Sequence, residues 1–135
     1  MLAEYEKRLF GGSYSELEQR MRTDAGLSRV LDTLAKHYED HKLRVRDLAR
    51  AAGMSSTTLR ERFRQIAGIG PRKFVIRYRV MKALSRLAAG RDSVSGISGD
   101  VGFTDVSLMN RTFKNLLGSS PARVRGHLAG IPVKE

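Results

Sequence analysis

The chain repeats one pattern, a helix, a glycine turn and a second helix. The first copy reads G-M-S-S-T-T-L-R-E-R-F-R-Q-I-A-G-I-G-P over residues 53–71, and the second reads G-F-T-D-V-S-L-M-N-R-T-F-K-N-L-L-G-S-S-P over residues 102–121. From Phe63 and Phe113 onward the two copies keep a fixed offset of 50 residues, and upstream of the turn the offset is 49. This repeat restricts the chain to two similar helical units.

The rest of the sequence is also helical in character. Almost no stretch alternates apolar and polar residues, so strands are not expected. The predicted fold class is all-α, with two helix-turn-helix subdomains joined by a long linker helix, as in a homeodomain-like bihelical pair. The segment 24–26 is expected to end the second helix, and the pair 41–42 to close the third. Predicted helices span about 2–10, 13–23, 27–42, 45–52, 56–67, 72–89, 94–101, 105–117 and 121–128.

Each copy carries the residues that a helix-turn-helix requires sterically. A small residue stands where the two helices cross, a glycine tolerates the positive φ of the turn, and an apolar residue fills the corner. The second helix of each pair then buries one face and leaves the other free to enter a major groove. The crossing, turn and corner residues are Ala49, Gly53 and Met54 in the first copy and Ser98, Gly102 and Phe103 in the second.

Composition agrees with a polyanionic partner. The chain has 25 Lys and Arg against 14 Asp and Glu, a formal net charge of +11, and its basic residues concentrate beside the two repeats. It has no cysteine, which excludes disulfides, thiolate metal sites and cysteine nucleophiles. The histidines lack metal-ligand spacing and no catalytic motif is present. We therefore expect the chain to bind no metal and no cofactor and not to be an enzyme. With no apolar run of about 18 residues and no signal peptide, a cytoplasmic protein is expected.

The two units resemble the DNA-binding domain of the AraC/XylS family of bacterial transcription regulators. The run G-F-T-D-V-S-L-M-N-R-T-F-K, followed by G-S-S-P, is similar to the most distinctive signature of that family. The resemblance covers residues 27 to about 128, and it implies that both recognition helices enter successive major-groove segments on one face of the duplex. The expected division is an N-terminal segment 1–26, a first subdomain 27–70, a linker helix 71–90, a second subdomain 91–128 and a tail 129–135.

The exposed faces of the two recognition helices supply the candidate base contacts. The guanidinium fork of Arg60 fits the O6/N7 pair of guanine, and the amide of Asn110 can pair with adenine. Glu61 leaves two interpretations open, acceptance of a hydrogen bond from cytosine N4 or an ion pair with a neighbouring arginine. The candidates, most of which match base-reading positions by the resemblance, are Ser56, Thr57, Arg60, Glu61, Val106, Ser107, Asn110 and Arg111.

A second group of polar and basic residues lies at helix starts and flanks, where phosphates are bound. Asp105 is expected to cap the second recognition helix rather than to contact a base. Candidate phosphate contacts are Ser55, Arg64, Arg72, Lys73, Lys114 and Arg123.

Some features depart from the family pattern or leave alternatives. Gly96 and Gly99 lie inside the first helix of the second unit, where each costs about 1 kcal/mol relative to alanine, so that unit is expected to be the softer one. Three roles are open for residues 1–26. They could be a linker with extra helices, a dimer contact, or the last helices of an absent sensor domain. The leading function is a DNA-binding transcription regulator, an activator with RNA polymerase as a partner. The alternative is an all-helical adaptor that binds a protein partner such as RNA polymerase with little DNA specificity.

Overall fold

The computed structural model describes residues 2–130, which form α-helices and no strand, so the predicted all-α class is confirmed. The helices in this range are α1 (Leu2–Phe10), α2 (Tyr14–Arg22), α3 (Ala25–His37), α4 (Val45–Ala52), α5 (Ser56–Ala67), α6 (Pro71–Ala89), α7 (Val94–Asp100), α8 (Val106–Leu117) and α9 (Pro121–Leu128). Residues 131–135 of the predicted tail lie outside the described residues.

Two predicted helix ends are wrong because side chains bind nearby backbone groups. Asp24 begins α3 instead of ending α2, since its Oδ1 accepts a hydrogen bond from the backbone N–H of Leu27 at 3.0 Å. His41 and Lys42 lie in the loop after α3 rather than in its last turn. There Asp40 Oδ1 accepts a hydrogen bond from the N–H of Lys42 at 2.9 Å, a local bond that competes with helix continuation.

Two hydrophobic clusters form the core, one in each half of the molecule. The first is built on α2 to α5 and the beginning of α6, and the second on α1, the rest of α6 and α7 to α9. The aromatic residues that the sequence assigns to the core are buried as predicted, with exposures between 0% and 6%: Phe63, Phe74, Tyr78, Phe103 and Phe113.

Helix α6 belongs to both clusters. The sequence pattern predicts a single apolar face that passes from Phe74 through Leu84 or Ser85 to Ala88. Leu84 is buried, but Ser85 and Ala88 are exposed. The helix instead buries one side against the first unit through Phe74 and a second side against the second unit through Ala83 and Leu87. The prediction of one face is wrong because a helix that serves two cores turns a different side to each.

The sequence repeat is a repeat of three-dimensional structure. Helices α4 and α5 form the helix-turn-helix of the first unit, and α7 and α8 form that of the second. The predicted turn glycines both adopt the left-handed conformation, with φ of +70° at Gly53 and +97° at Gly102. The crossing positions Ala49 and Ser98 are buried to 3% and 4% exposure, as their small side chains require.

Candidate nucleic-acid interface

Helix α5 is oriented by its buried side. Leu59 and Phe63 are almost completely buried in the first cluster, so the opposite side of the helix faces solvent. Its N-terminus is capped by Ser55, whose Oγ accepts a hydrogen bond from the N–H of Thr58 at 3.1 Å. The predicted contacts on α5 are half-buried at Ser56 and exposed at the remaining positions, which are Thr57, Arg60, Glu61 and Arg64.

Helix α8 repeats this arrangement in the second unit. Met109, Phe113 and Leu117 anchor it in the second cluster. The capping role predicted for Asp105 is confirmed, because its Oδ1 accepts a hydrogen bond from the N–H of Leu108 at 2.8 Å. Among the predicted contacts, Val106 and Asn110 are half-buried, whereas Ser107, Arg111 and Lys114 are exposed.

Four predicted contact residues meet in one basic concavity. Arg60 and Arg64 reach it from α5, and Arg72 and Lys73 from the first turn of α6, around a volume of about 430 Å³. Among the described residues, no Asp or Glu lines this concavity. The first turn of α6 adds the positive end of a helix dipole, since Gly70 caps the helix without a side-chain hydrogen bond. The concavity is therefore a strongly electropositive depression.

A wider groove of about 690 Å³ adjoins the concavity and reaches the second unit. Arg60 lines both spaces, Ser56 lines the groove from α5, and Leu108 lines it from α8. Ile76 of α6 also lines this groove. The two helices thus open onto one continuous face of the molecule, which carries further basic side chains at Lys42, Arg44 and Arg46.

Sequence reasoning missed Leu108, which is half-buried and lines this groove from the second unit. An apolar residue in a recognition helix is easily assigned to the core. Leu108 is, however, out of register with Met109, Phe113 and Leu117, which recur every four residues on the buried side. Leu108 packs against the edge of the second cluster and also lines the groove, and that register is the signal in the sequence for a place at the edge rather than inside.

Of the other predicted contacts, all of which lie in the described part of the chain, Ser56 lines the groove and the rest line neither space. Glu61 forms no ion pair within residues 2–130, so the predicted alternative of a pair with a neighbouring arginine is not observed in this part of the chain. Arg123 lies on α9 and is half-buried, and its backbone N–H donates to Ser120 Oγ at 3.4 Å. Neither residue lines the concavity or the adjoining groove.

Two basic residues of α6 hold the fold together. Arg77 donates to the carbonyl oxygen of Leu9 at 2.7 Å, and Arg79 donates to the carbonyl oxygens of Tyr38 at 2.9 Å and Asp40 at 2.8 Å. Burial lowers the pKa of the Arg79 guanidinium, as desolvation does for a cation. These arginines satisfy chain carbonyls in the loop after α3 and at the end of α1, which no sequence pattern identifies.

Neither a metal site nor a membrane-spanning helix is found within the described residues. No three of their His, Asp or Glu side chains are grouped in a way that could hold a metal ion. None of the helices in residues 2–130 combines the length and the apolar character that a membrane crossing requires.

Comparisons with known proteins agree with this geometry. A family model described as a helix-turn-helix domain matches residues 48–127. The activator RhaS of Escherichia fergusonii is 30% identical over 111 residues, which are 82% of this chain and 40% of RhaS. The activator NphR of a Rhodococcus species is 33% identical over 105 residues, 78% of this chain and 31% of NphR. The chain also spans only 29% and 27% of AraC-like regulators from Streptomyces antibioticus and Streptomyces lividans.

Solved structures extend the similarity to the fold. The DNA-binding domain of the transcription factor AdpA, solved in complex with a target DNA, has 31% identity and a TM-score of 0.72, with 79% of this chain and 95% of that domain covered. An AraC-type regulator from Chromobacterium violaceum has the same fold at 24% identity and a TM-score of 0.71, with coverage of 77% and 92%.

Proposed function

The chain belongs to the AraC-type family of helix-turn-helix proteins, and we propose that it is a sequence-specific, double-stranded DNA-binding transcription regulator of the activator type, working in the cytoplasm. In this proposal α5 and α8 enter successive segments of the major groove on one side of the duplex. The observation that carries the proposal is the continuous basic face, in which four cations surround one concavity and both recognition helices border the adjoining groove.

The charge distribution of this face suits duplex DNA. The phosphate backbone presents about one negative charge per 1.7 Å of duplex axis, so a depression lined by several cations gains from each phosphate that it neutralises. Arg64 lies in the last turn of α5, and Arg72 and Lys73 lie in the first turn of α6. These places at the edge of the recognition surface suit contacts that position the protein without reading sequence. The remaining phosphate contacts that we propose are Ser55, Lys114 and Arg123. Ser55 also caps α5, so its backbone N–H is the group available to a phosphate.

Sequence would be read by side chains at the exposed side of each recognition helix. Arg60, at the junction of the concavity and the groove, would bind guanine through its guanidinium fork, and Glu61 would accept from cytosine N4. Asn110 would pair with adenine, and Val106 would contact a thymine methyl group. Leu108 adds a second apolar side chain for a thymine methyl group on the side that faces the first unit. The other base contacts in this proposal are Ser56, Thr57, Ser107 and Arg111.

The proposal extends to partners beyond DNA. RhaS and NphR are both named as transcriptional activators, which supports RNA polymerase as a partner of this chain. Because the chain spans well under half of the length of its curated relatives, we include a sensor or dimerisation domain as a further partner. We assign the chain no catalytic activity, no cofactor and no metal.

The direct test is selection from a randomised duplex pool, followed by sequencing of the retained DNA at two salt concentrations. We expect two short enriched blocks whose centres lie about 10 base pairs apart, one helical turn. One block alone would contradict base reading by α8. No enrichment, with binding that disappears at the higher salt concentration, would refute sequence-specific recognition and favour the adaptor hypothesis.

A further inference from the structure

The first two helices form a pair that spans both helix-turn-helix units. Helix α2 packs against α3 and α5 of the first unit, whereas α1 packs against the linker helix α6 and against α8 of the second unit. Only residues 11–13 separate α1 from α2. Each helix of the pair therefore lies on the recognition helix of a different unit, and the short connection restricts how far the two can move apart.

The anchoring of α1 is specific rather than incidental. Leu9 is fully buried in the second cluster. Arg8 donates to the carbonyl oxygen of Leu117 at 2.8 Å, which places a cation on the last turn of α8. The hydroxyl of Tyr5 lies 3.2 Å from Nδ1 of His127 on α9. Helix α1 thus holds α8 by packing and by a charged hydrogen bond at its C-terminal end.

The connection between the paired helices rests on the linker helix. The ring of Phe10 lies 5.0 Å from that of Tyr14 and 5.8 Å from that of Phe74 on α6, measured between centroids. The carbonyl oxygen of Leu9 accepts the hydrogen bond from Arg77 of α6. On the other side, Leu17 and Met21 of α2 are buried in the first cluster. The pair is consequently tied to the first unit, the linker helix and the second unit together.

The second unit needs this support more than the first does. Its scaffold helix α7 is only seven residues long and includes Gly96 and Gly99, both exposed, so it contributes little helix stability of its own. Helix α8 therefore depends on neighbours outside its own helix-turn-helix for its orientation. Helix α1 is such a neighbour, because it packs against α8 and binds its C-terminal turn through Arg8.

We propose that the N-terminal helix pair positions the second recognition helix relative to the first, and thereby sets the spacing of the two DNA half-sites. Arg8 and Arg77 are positioning residues, since they act on DNA binding through the placement of α8. This inference rests on the proposed function, because it concerns how two DNA-reading helices are held in register.

The test uses the whole chain and a series of duplexes that carry the two selected half-sites. In this series the spacing is changed by one base pair at a time, and a duplex with one half-site is included. The test variant is Arg8→Ala/Arg77→Ala, which removes both hydrogen bonds of α1 to α8 and α6. The matched control is Lys7→Ala/Lys36→Ala, which removes the same charge from two exposed positions. Arg8→Lys serves as the conservative variant, because a lysine retains a charged donor.

For the natural chain and the control we expect a preference for one spacing on the order of 100-fold, as a rigid connection between two binding modules gives. In the test variant the preference should fall by about tenfold while binding to the single half-site stays within about twofold of the natural chain. Arg8→Lys should retain most of the preference. A merely structural loss would instead weaken binding to one and two half-sites alike.

The outcomes separate this inference from the proposed function. An unchanged spacing preference in the folded double variant overturns the positioning role while sequence-specific binding stands. If the double variant fails to fold, the single variant Arg8→Ala decides, since Arg8 is exposed and a preference equal to that of the natural chain would again overturn the inference. Absence of any sequence preference in the natural chain would refute the proposed function itself.

Discussion

Alanine at Gly102 is expected to destabilise the protein much more than alanine at Gly53, although the two glycines occupy the same place in the repeat. Both have positive φ, +70° at Gly53 and +97° at Gly102, and a left-handed conformation costs a residue with a Cβ about 1–2 kcal/mol. This part of the cost is shared. At Gly53 little is added, because the nearest atom to the Cβ of an alanine there would be Nη2 of Arg29 at 3.9 Å.

The surroundings of Gly102 add a second cost. A Cβ there would collide with the carbonyl oxygen of Tyr38 and would lie 2.6 Å from Nε of Arg79. These two atoms are themselves joined by a hydrogen bond, and Arg79 also binds the carbonyl oxygen of Asp40. Loss of a hydrogen bond to a charged group costs about 1.5–3 kcal/mol. We therefore expect a loss of about 1–2 kcal/mol for Gly53→Ala, and of about 2.5–5 kcal/mol for Gly102→Ala.

Equilibrium unfolding in urea, followed by circular dichroism, measures both free energies of unfolding on the same chain. The variant Arg79→Ala extends the comparison, because part of the cost of Gly102→Ala should disappear when Arg79 is already absent. Losses at the two glycines that agree within about 0.5 kcal/mol, the usual error of additive effects, would refute the assignment of the extra cost to the Tyr38–Arg79 contact.

Three further predictions concern binding and stability. Arg60→Ala should weaken binding to the selected sequence by about 1–3 kcal/mol and relax the preference at one or two base pairs. Equal losses of affinity on selected and random duplexes would instead show that Arg60 contacts only phosphate. Lys73→Ala should weaken binding to all duplexes and reduce the slope of log affinity against log salt by about 1, and a slope that stays the same would place Lys73 outside the interface. Gly99→Ala should raise the free energy of unfolding by about 0.5–1 kcal/mol, since a Cβ there meets open space. Gly96→Ala should raise the free energy of unfolding by less, because its Cβ would lie 3.1 Å from Oγ of Ser93. A decrease in stability for Gly99→Ala in the same urea measurement would contradict this last expectation.

The local parts of the fold could be predicted because their causes lie within a few residues of sequence. The boundaries of α4, α5 and α9 follow from their turn glycines, caps and prolines, and the cap at Asp105 follows from its place before an apolar run. The repeat strengthened these predictions, since each feature was observed twice. Where a residue has two possible local roles, as Asp24 has between the end of α2 and the start of α3, the sequence alone did not decide correctly.

The features that escaped prediction depend on contacts between distant segments. The two buried sides of α6 exist only because two units pack against it. Nothing near Leu9 in sequence indicates that it enters the second cluster while Leu17 enters the first. Similarly, the approach of Leu108 to the groove beside Arg60 requires the two units to be assembled, since these residues belong to different recognition helices.

The net charge of the chain agrees with the proposed partner but does not show which basic residues are free to bind it. The +11 charge indicates a polyanion, yet several of the arginines that produce it donate to backbone carbonyl oxygens within the fold. Arg79 is a half-buried example, and its removal would disturb the loop against which the second turn packs. Loss of DNA binding on removal of such an arginine therefore indicates a contact with phosphate only when the salt slope also falls, because an indirect effect on the fold leaves the number of neutralised phosphates unchanged.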